Sequence, residues 1–246
     1  MFLSMRSFWL GFAAGSGGGS ALTFPGVHAA LMPGLPERSV VNCVMYDDPA
    51  ELEARLDELA AAYDDAGVRA WTVWVHESDE RARGILARAG HALDAEPMGQ
   101  ALDLADLPQT DGGAIDLIPE PTPGDIDPIV TAAYGWAGFA RAVHRFPSEF
   151  HPYVAAAGEG SPAACLGIWD CEGDAHVQMV ATLPEHRGRG LASRLLVRAL
   201  ADARERGCTS SSLQATAMGH PVYTRLGYRD LGRVQMWERR KPAPAG

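Results

Sequence analysis

Apolar residues recur at helical intervals directly after a glycine-rich stretch in the last third of the chain. The apolar positions are Leu191, Leu195, Leu196, Ala199, Leu200 and Ala203. This spacing predicts a helix with one buried face, and Gly207 predicts its end. The preceding segment DAHVQMVATL is apolar and contains β-branched residues, which predicts a strand that ends before Pro184. The region therefore predicts a strand, a glycine-rich turn and a helix in that order.

The segment after Gly207 continues the alternation of strands and helices. It is CTSSSLQATAMGHPVYTRLGYRDLGRVQMWERR. The pattern predicts a strand, a short helix from about Gly219 to Leu226, a stop at Gly227 and a final strand. Met236 and Trp237 fall in that final strand.

The turn PEHRGRG is the first candidate for chemistry. Glycine loses much conformational freedom when it is ordered, so a cluster of glycines at a helix start usually means that the main chain comes close to a ligand. Free N–H groups of a first helical turn attract anions, above all phosphate. Arg187 and Arg189 add positive charge. The G-x-G-x-x-G pattern of dinucleotide sites and the G-K-[ST] end of a P-loop do not occur here.

The arrangement Arg187-x-x-Gly190-x-Ala192 after a strand resembles the coenzyme A motif of the GNAT acetyltransferase superfamily. Relatives also carry an Asn, Ser or Thr-like residue near the next strand end and a tyrosine four residues before "GF" or "GY". Here these are Thr216, Tyr223 and Gly227-Tyr228. The resemblance covers about residues 115–240. Ala192 replaces the commoner glycine and Thr216 the commoner asparagine, and neither change puts CoA binding seriously in doubt.

The resemblance implies acetyl-CoA as the co-substrate, with its pyrophosphate held by the loop amides. The implied cofactor-binding residues are Val180, Ala181, Thr182, Arg187, Gly188, Arg189, Gly190, Leu191, Ala192, Ser193 and Thr216. Amides at residues 180–182 are where relatives polarise the thioester carbonyl. Tyr223 matches the general-acid position, because a phenol with a pKa near 10 can donate a proton at neutral pH. The alternative is a packing tyrosine.

The general base is harder to assign. A lysine-like amine has a pKa of about 10.4, so presenting it neutral at pH 7 costs roughly 4–5 kcal/mol. A base, a chain of waters or an acceptor of lower pKa could remove much of that cost. His176 lies on the strand that leads to the loop, where several relatives carry their catalytic carboxylate, and histidine titrates in the useful range. An ordinary strand histidine is the alternative.

The first half of the chain resembles an eroded copy of the second. LDELAAAYDDAGVRAWTVWV parallels LVRALADARERGCTSSSLQA, and ILARAGHALDAEPMGQALDL parallels VYTRLGYRDLGRVQMWERR. On these alignments Arg187 falls on Asp47, Gly190 on Ala50 and Tyr223 on Leu86. Asp47 and Asp48 suit helix capping and would repel a pyrophosphate. This half is therefore expected to be structural or to shape the substrate site.

These observations predict an α/β protein with two tandem GNAT-like domains, each a mixed central sheet flanked by helices. We expect a degenerate domain over 1–110, a linker over 111–125 that contains Gly112-Gly113, and a catalytic domain over 115–246. Aromatic residues gather where GNAT proteins place the helices that flank the acceptor channel: Tyr134, Trp136, Phe139, Phe146 and Phe150. Half or more of them should be core, and the others could line an amine pocket.

Composition and net charge limit the classes of partner and the location that we expect. The formal net charge of −10 argues against a nucleic-acid groove. The cysteines (Cys43, Cys165, Cys171 and Cys208) form no C-x-x-C pair and have no histidine at metal spacing, so we expect reduced thiols and no metal. The N-terminal stretch faintly imitates a signal peptide, but Phe8, Trp9 and Phe12 fall at helical spacing. An amphipathic first helix, a cytoplasmic location and no membrane span are therefore expected.

The sequence as a whole predicts an N-acetyltransferase in which a primary amine attacks acetyl-CoA directly. The acceptor would be a small-molecule amine or a peptide amine, and the protein would be a monomer or a homodimer. Two alternatives remain: a non-catalytic acyl-CoA-binding module or sensor, and a mycothiol-synthase-like tandem enzyme. Retention of Tyr223 together with the whole loop favours catalysis over sensing.

Overall fold

The computed structural model describes residues 1–108, 115–158 and 160–242. The predicted linker glycines, Gly112-Gly113, lie outside the described residues. The helices are α1 (Phe2–Gly15), α2 (Pro49–Asp65), α3 (Glu80–Arg88), α4 (Pro123–Tyr134), α5 (Phe139–Ala142), α6 (Leu191–Glu205) and α7 (His220–Arg225). The strands are β1 (Ser20–Phe24), β2 (Val27–Leu31), β3 (Cys43–Tyr46), β4 (Ala70–His76), β5 (Ala92–Ala95), β6 (Met98–Asp103), β7 (Phe150–Ala157), β8 (Ser161–Cys171), β9 (Asp174–Thr182), β10 (Ser210–Ala215) and β11 (Arg229–Arg240).

The elements predicted around the glycine-rich turn are confirmed. Strand β9 ends at Thr182, two residues before Pro184, and α6 buries the six apolar positions of the periodic pattern. Helix α7 is one residue shorter at each end than the pattern predicts. The amphipathic first helix is also present, since Phe8, Trp9 and Phe12 of α1 are all buried.

The strands described form one mixed sheet in the order β1-β2-β3-β4-β11-β6-β10-β9-β8-β7. Strands β3 and β4 run parallel, as do β9 and β10. The two halves of the chain exchange their last strands within this sheet. Strand β6 of the first half pairs with β10 and β11 of the second, and β11 pairs with both β4 and β5 of the first. The boundary between two domains stays a prediction, but each half completes the other's strand pairing.

An apolar core on one face of the sheet is also shared between the halves. Phe8 of α1 lies edge-on to Trp169 of β8 with ring centroids 5.8 Å apart, and Phe12 meets Phe150 of β7 at 5.2 Å. The helix approaches closely because Gly11 carries no side chain there: a Cβ would lie 2.5 Å from the Trp169 ring. Helix α1 of the first half therefore covers the sheet of the second.

The interpretation of the first half as an eroded copy stays a prediction, and the structure shows what the aligned residues do. Asp48 is the N-cap of α2, and its carboxylate accepts from the Ala50 amide at 2.7 Å. Asp47 does not cap the helix; it pairs with Arg6 of α1 at 2.7 Å. Leu86, at the position that aligns with Tyr223, is fully buried in α3. At the aligned positions of the described residues, carboxylates and a leucine therefore stand where the second half has its basic glycine turn and its tyrosine.

His91 gives the fold a pH dependence. Its ring lies edge-on to Trp71 at 4.6 Å, and neither ring nitrogen has a partner within the described part of the chain. Burial lowers the pKa of His91 to about 4. The unfolded chain takes up this proton at a higher pH than the folded chain does. The stability that depends on a neutral His91 is therefore complete above about pH 6.5 and is lost as the pH falls toward about 4.

We expect His91→Phe to flatten the acid limb of the stability profile. Phenylalanine keeps a ring against Trp71 and takes up no proton, so the slope should decrease by up to one proton, about 1.4 kcal/mol per pH unit. Urea unfolding of both proteins between about pH 7 and about pH 5 measures that slope. Equal slopes for the two proteins would show that His91 does not carry the effect.

Candidate functional site

The turn between β9 and α6 has the geometry of an anion cradle. Gly188 and Gly190 have φ values of 74° and 71°, which favour glycine. A Cβ added to either glycine would meet no atom within 4 Å. The space in front of the loop is therefore open. The left-handed backbone, and not a close protein neighbour, is the reason that glycine occupies both positions.

The loop amides are available to a ligand. Gly190 is the N-cap of α6, and the first helical hydrogen bond runs from the Arg194 amide to the Gly190 carbonyl at 3.1 Å. The amides of Leu191, Ala192 and Ser193 therefore precede the first bonded turn. In the described structure no acceptor is found for the amides of residues 188–190. Such a run of amides at the positive end of a helix dipole suits a phosphate.

Arginine side chains hold the shape of the loop and add charge to it. Arg187 donates from Nε to the Thr182 carbonyl at 3.2 Å, which ties the loop to the end of β9. Arg194 donates from Nη2 to the Arg189 carbonyl at 3.2 Å. Arg187 and Arg189 are both exposed. The predicted cofactor-binding residues of the loop are therefore brought together at one surface.

Strands β9 and β10 separate next to this loop. They pair in parallel from Asp174–Ser210 to His176–Ser212, and the pairing ends there. The two strands continue beyond that point to Thr182 and Ala215 respectively. The result is a split in the sheet that widens toward the glycine-rich loop.

A β-bulge changes the direction of β9 inside the split. Between the pairs Gln178–Gly167 and Ala181–Cys165, β9 has one residue more than β8. Met179 in this interval has a φ of 55°, a left-handed conformation that is rare for a residue with a side chain. The Cys165 thiol donates to the Met179 carbonyl at 3.4 Å. The bulge places Val180 where its carbonyl accepts from the Tyr134 hydroxyl at 2.5 Å.

The structure brings two tyrosines to this place. Tyr134, at the end of α4, has a raised pKa because it is buried at the hydroxyl and because Tyr223 lies near. Tyr223 of α7 is 7% exposed, and burial raises its pKa as well. Its ring lies 5.8 Å from that of Tyr228. Both hydroxyls are thus protonated at neutral pH. The sequence pattern predicted Tyr134 near the acceptor channel, but it did not predict the contact of Tyr134 with Val180.

Thr216 has a local role in the same region. Its hydroxyl accepts from the Gly219 amide at 3.2 Å and so shapes the turn that leads into α7. The side chain is exposed next to the split. Its predicted contact with the cofactor stays a prediction.

His176 lies at the closed end of the split with no exposed surface. Nδ1 lies 3.0 Å from the Ser212 hydroxyl, which donates to Asp174, and Nε2 lies 2.8 Å from the Gln178 amide nitrogen. Burial lowers the pKa of His176 to about 4. Both nitrogens are occupied and the ring is a weak base. This argues against His176 as the group that removes a proton from the acceptor amine.

The sequence reasoning missed two glutamines that bridge the split. Gln178 of β9 donates from Nε2 to Oε1 of Gln214 of β10 at 3.3 Å. The Nε2 group of Gln214 is buried and has no partner among the residues described. A signal was present, because Gln178 stands among the apolar residues of VQMVA and Gln214 stands between Leu213 and Ala215.

A pocket of about 210 Å³ lies beside Tyr134, between the halves. It is lined by Glu37, Arg38, Ser39, Val40, Asp94, Tyr134, Trp136, Met236, Glu238 and Arg240. The other predicted aromatics divide as expected: Phe139 and Phe150 are core, and Phe146 is half-buried. In the described part of the chain no helix has the length and hydropathy to cross a membrane. The same residues offer no cluster of metal-ligating side chains.

Comparisons with known proteins agree with this fold. Residues 117–228 match the model of the acetyltransferase (GNAT) family. The chain is similar to the solved GCN5-related N-acetyltransferase from Kribbella flavida (TM-score 0.66, 18% identity, covering 93% of this chain and 90% of that one). It is also similar to a putative GNAT-family acetyltransferase from Novosphingobium aromaticivorans (TM-score 0.61, 21% identity, covering 90% and 91%). No curated protein sequence matches the chain.

A tandem relative also shares the fold. The chain is similar to a tandem GNAT protein from the clavulanic acid biosynthesis pathway (TM-score 0.57, 19% identity, covering 88% of this chain and 79% of that one). At these identities the solved structures show the fold alone. The family match therefore applies to residues 117–228, and the solved structures show that the described chain has the fold of GNAT proteins.

Proposed function

We propose that the protein is an N-acetyltransferase that transfers the acetyl group of acetyl-CoA to a primary amine by direct attack, with its cofactor-binding and catalytic residues all in its second half. The observation that carries this proposal is the grouping of three features around β9. The open cradle at Gly188–Gly190 follows β9, which borders the split, and Tyr223 lies near Tyr134, whose hydroxyl bonds to β9 at Val180. We further propose a cytoplasmic location, which suits the four free thiols.

The loop fits the pyrophosphate of acetyl-CoA. Amides without an acceptor, open space at Gly188 and Gly190, and the exposed guanidinium groups of Arg187 and Arg189 are what a diphosphate requires. When bound, acetyl-CoA supplies an activated acetyl thioester. The backbone at residues 180–182 would polarise the thioester carbonyl, and Ala192, Ser193 and Thr216 would complete the contact surface.

The reaction also requires two proton transfers, which the residues that line the split would carry out. A C–N bond forms as the C–S bond breaks, the nitrogen loses a proton and the sulfur gains one. Tyr223 is the proton donor in this proposal, because its hydroxyl is protonated at neutral pH and it lies near Tyr134, which bonds the Val180 carbonyl beside the split. His176 acts as a positioning residue: it holds Gln178 through its Nε2 atom.

Mass spectrometry of a mixed amine library incubated with the protein and acetyl-CoA tests the proposal. A product heavier by one acetyl group would identify both the activity and the acceptor. Tight CoA binding without any acetylated product would favour a non-catalytic acyl-CoA sensor instead.

We expect charge reversal of both Arg187 and Arg189 to weaken CoA binding strongly. Each charge-assisted hydrogen bond lost should cost about tenfold or more in affinity. Calorimetric titration should give one site per chain, because Asp47 and Asp48 occupy the equivalent turn in the first half. Arg198→Glu is the matched control, since Arg198 lies on the same helix but pairs with Asp202 at 2.8 Å. Unchanged affinity in the double variant, or two sites per chain, would contradict the assignment.

A further inference from the structure

The bridge between Gln178 and Gln214 is the first contact between β9 and β10 after their pairing ends. Gln178 uses its amide hydrogens toward His176 and Gln214, at 2.8 and 3.3 Å. Its Oε1 atom is thereby left to accept a further hydrogen bond. On the opposite strand the buried Nε2 of Gln214 has no partner in the part of the chain described. A buried donor of this kind is costly to leave unpaired, so the pair is built for a ligand in the split.

The groups that face this pair are uncharged. Burial keeps the pKa of His176 low, at about 4, and holds the pKa values of Tyr134 and Tyr223 above their usual range. The Phe8 ring covers His176 from α1. Among the described residues, no carboxylate raises the pKa of Tyr134 or Tyr223.

The nearest charges lie behind His176. Asp174 accepts from the hydroxyls of Ser4, Ser210 and Ser212. The Asp174 carboxylate raises the pKa of His176, and the positive charge of the Met1 amino group lowers it. These charges stand at the closed end of the split, where Ser212 separates Asp174 from the His176 ring.

The neighbouring pocket is close to electrically balanced. Its carboxylates are those of Glu37, Asp94 and Glu238, and its guanidinium groups are those of Arg38 and Arg240. Arg240 binds Glu238 at 2.7 and 2.9 Å, and Arg69 binds Glu37 at 2.6 Å from outside the pocket. The pocket therefore offers little net attraction for an ammonium group.

From this arrangement we propose that the acceptor reaches the split as an uncharged amine, and that the protein acetylates weakly basic amines, of the kind found as α-amino groups, in preference to lysine-type amines. The proposal rests on the proposed function. A neutral amine needs no outside base, because the proton that its nitrogen loses equals the proton that the sulfur gains. An ammonium group would need an additional proton acceptor and would be desolvated among carboxamides and phenols, which is unfavourable.

A matched pair of acceptors tests the proposal on the full chain. One is a short aliphatic amine and the other its β-fluorinated analogue, which has the same skeleton and a less basic nitrogen. Below its own pKa, kcat/KM for the strongly basic amine should rise about tenfold per pH unit. A difference of about 2.5 units, as between a lysine side chain and an α-amino group, gives about a 300-fold difference in neutral fraction at pH 7.

The outcomes separate the inference from the function on which it rests. A profile for the strongly basic amine that is flat between about pH 7 and about pH 9 would overturn the inference, because it would require a base in the site. Acetylation of neither amine, nor of any member of the library, despite CoA binding would refute the proposed function itself.

Gln178→Glu provides a gain-of-function arm. Glutamate has the same shape and would place a proton acceptor beside the attacking nitrogen, once His176 changes tautomer and the Gln214 carboxamide turns so that both donate to it. We expect kcat/KM of the strongly basic amine to rise about tenfold or more at pH 7, and its pH profile to flatten. Gln178→Met is the control, which should lower the rate for both amines without changing the shape of either profile. CoA affinity reports whether each variant is folded, and a folded Gln178→Glu protein with an unchanged profile would count against the inference.

Discussion

Replacing Tyr223 by phenylalanine is expected to lower kcat by about 10²–10⁴-fold, the usual range for a positioned general acid. The ring is 7% exposed and packs edge-on against Tyr228 at 5.8 Å, so phenylalanine keeps the packing. CoA affinity should therefore change little. Steady-state kinetics with the amine identified by mass spectrometry, together with calorimetry for CoA, measures both quantities.

Tyr228→Phe is the matched control for this substitution. Tyr228 is also buried, but its hydroxyl is already engaged with Ser211 at 2.6 Å, in the part of β10 that still pairs with β9. Loss of that hydroxyl should reduce stability by about 1–3 kcal/mol and leave kcat nearly unchanged. A Tyr223→Phe protein that turns over like the wild type would leave Tyr223 as a packing residue. Tyr134, whose hydroxyl lies in the same region, would then be the next candidate acid.

The glycine-rich loop between β9 and α6 could be predicted from the sequence because its determinants are local. Glycines with positive φ, arginines and an apolar stripe all lie within one strand, turn and helix, and the structure places Gly188, Gly190 and α6 accordingly. Tyr223 could be placed for the same reason, since its distance from Gly227 fixes its position on a short helix.

The strand exchange could not be predicted, because β6 and β11 have the same alternating pattern whichever sheet they join. The bulge was equally hidden, since nothing in the residue type of Met179 marks a left-handed conformation. His176 was predicted as a base from its place on β9. What the sequence could not show was the burial that makes the ring a weak base, or the two hydrogen bonds that occupy its nitrogens. The glutamine bridge depends on where β9 and β10 part, which only the pairing register reveals.

Separating the two halves is expected to abolish CoA binding and activity altogether. Residues 115–246 expressed alone would lack β6, which lies between β10 and β11 and pairs with both. They would also lack α1, which leaves Phe150 and Trp169 without Phe8 and Phe12. An open strand edge and an exposed apolar face both favour aggregation. Solubility, far-UV circular dichroism and CoA titration of this fragment measure the loss.

Cleavage of the intact chain is the control that isolates the cause. A protease site placed within residues 109–114 would cut the connection after the exchanged strands have paired. Because β6 and β11 each lie in the other half's part of the sheet, the two pieces should elute together from a sizing column and retain CoA affinity. Co-expression of the two pieces should restore activity for the same reason. A soluble, CoA-binding fragment of residues 115–246 would show instead that the exchanged strand is dispensable and that the second half folds without its partner.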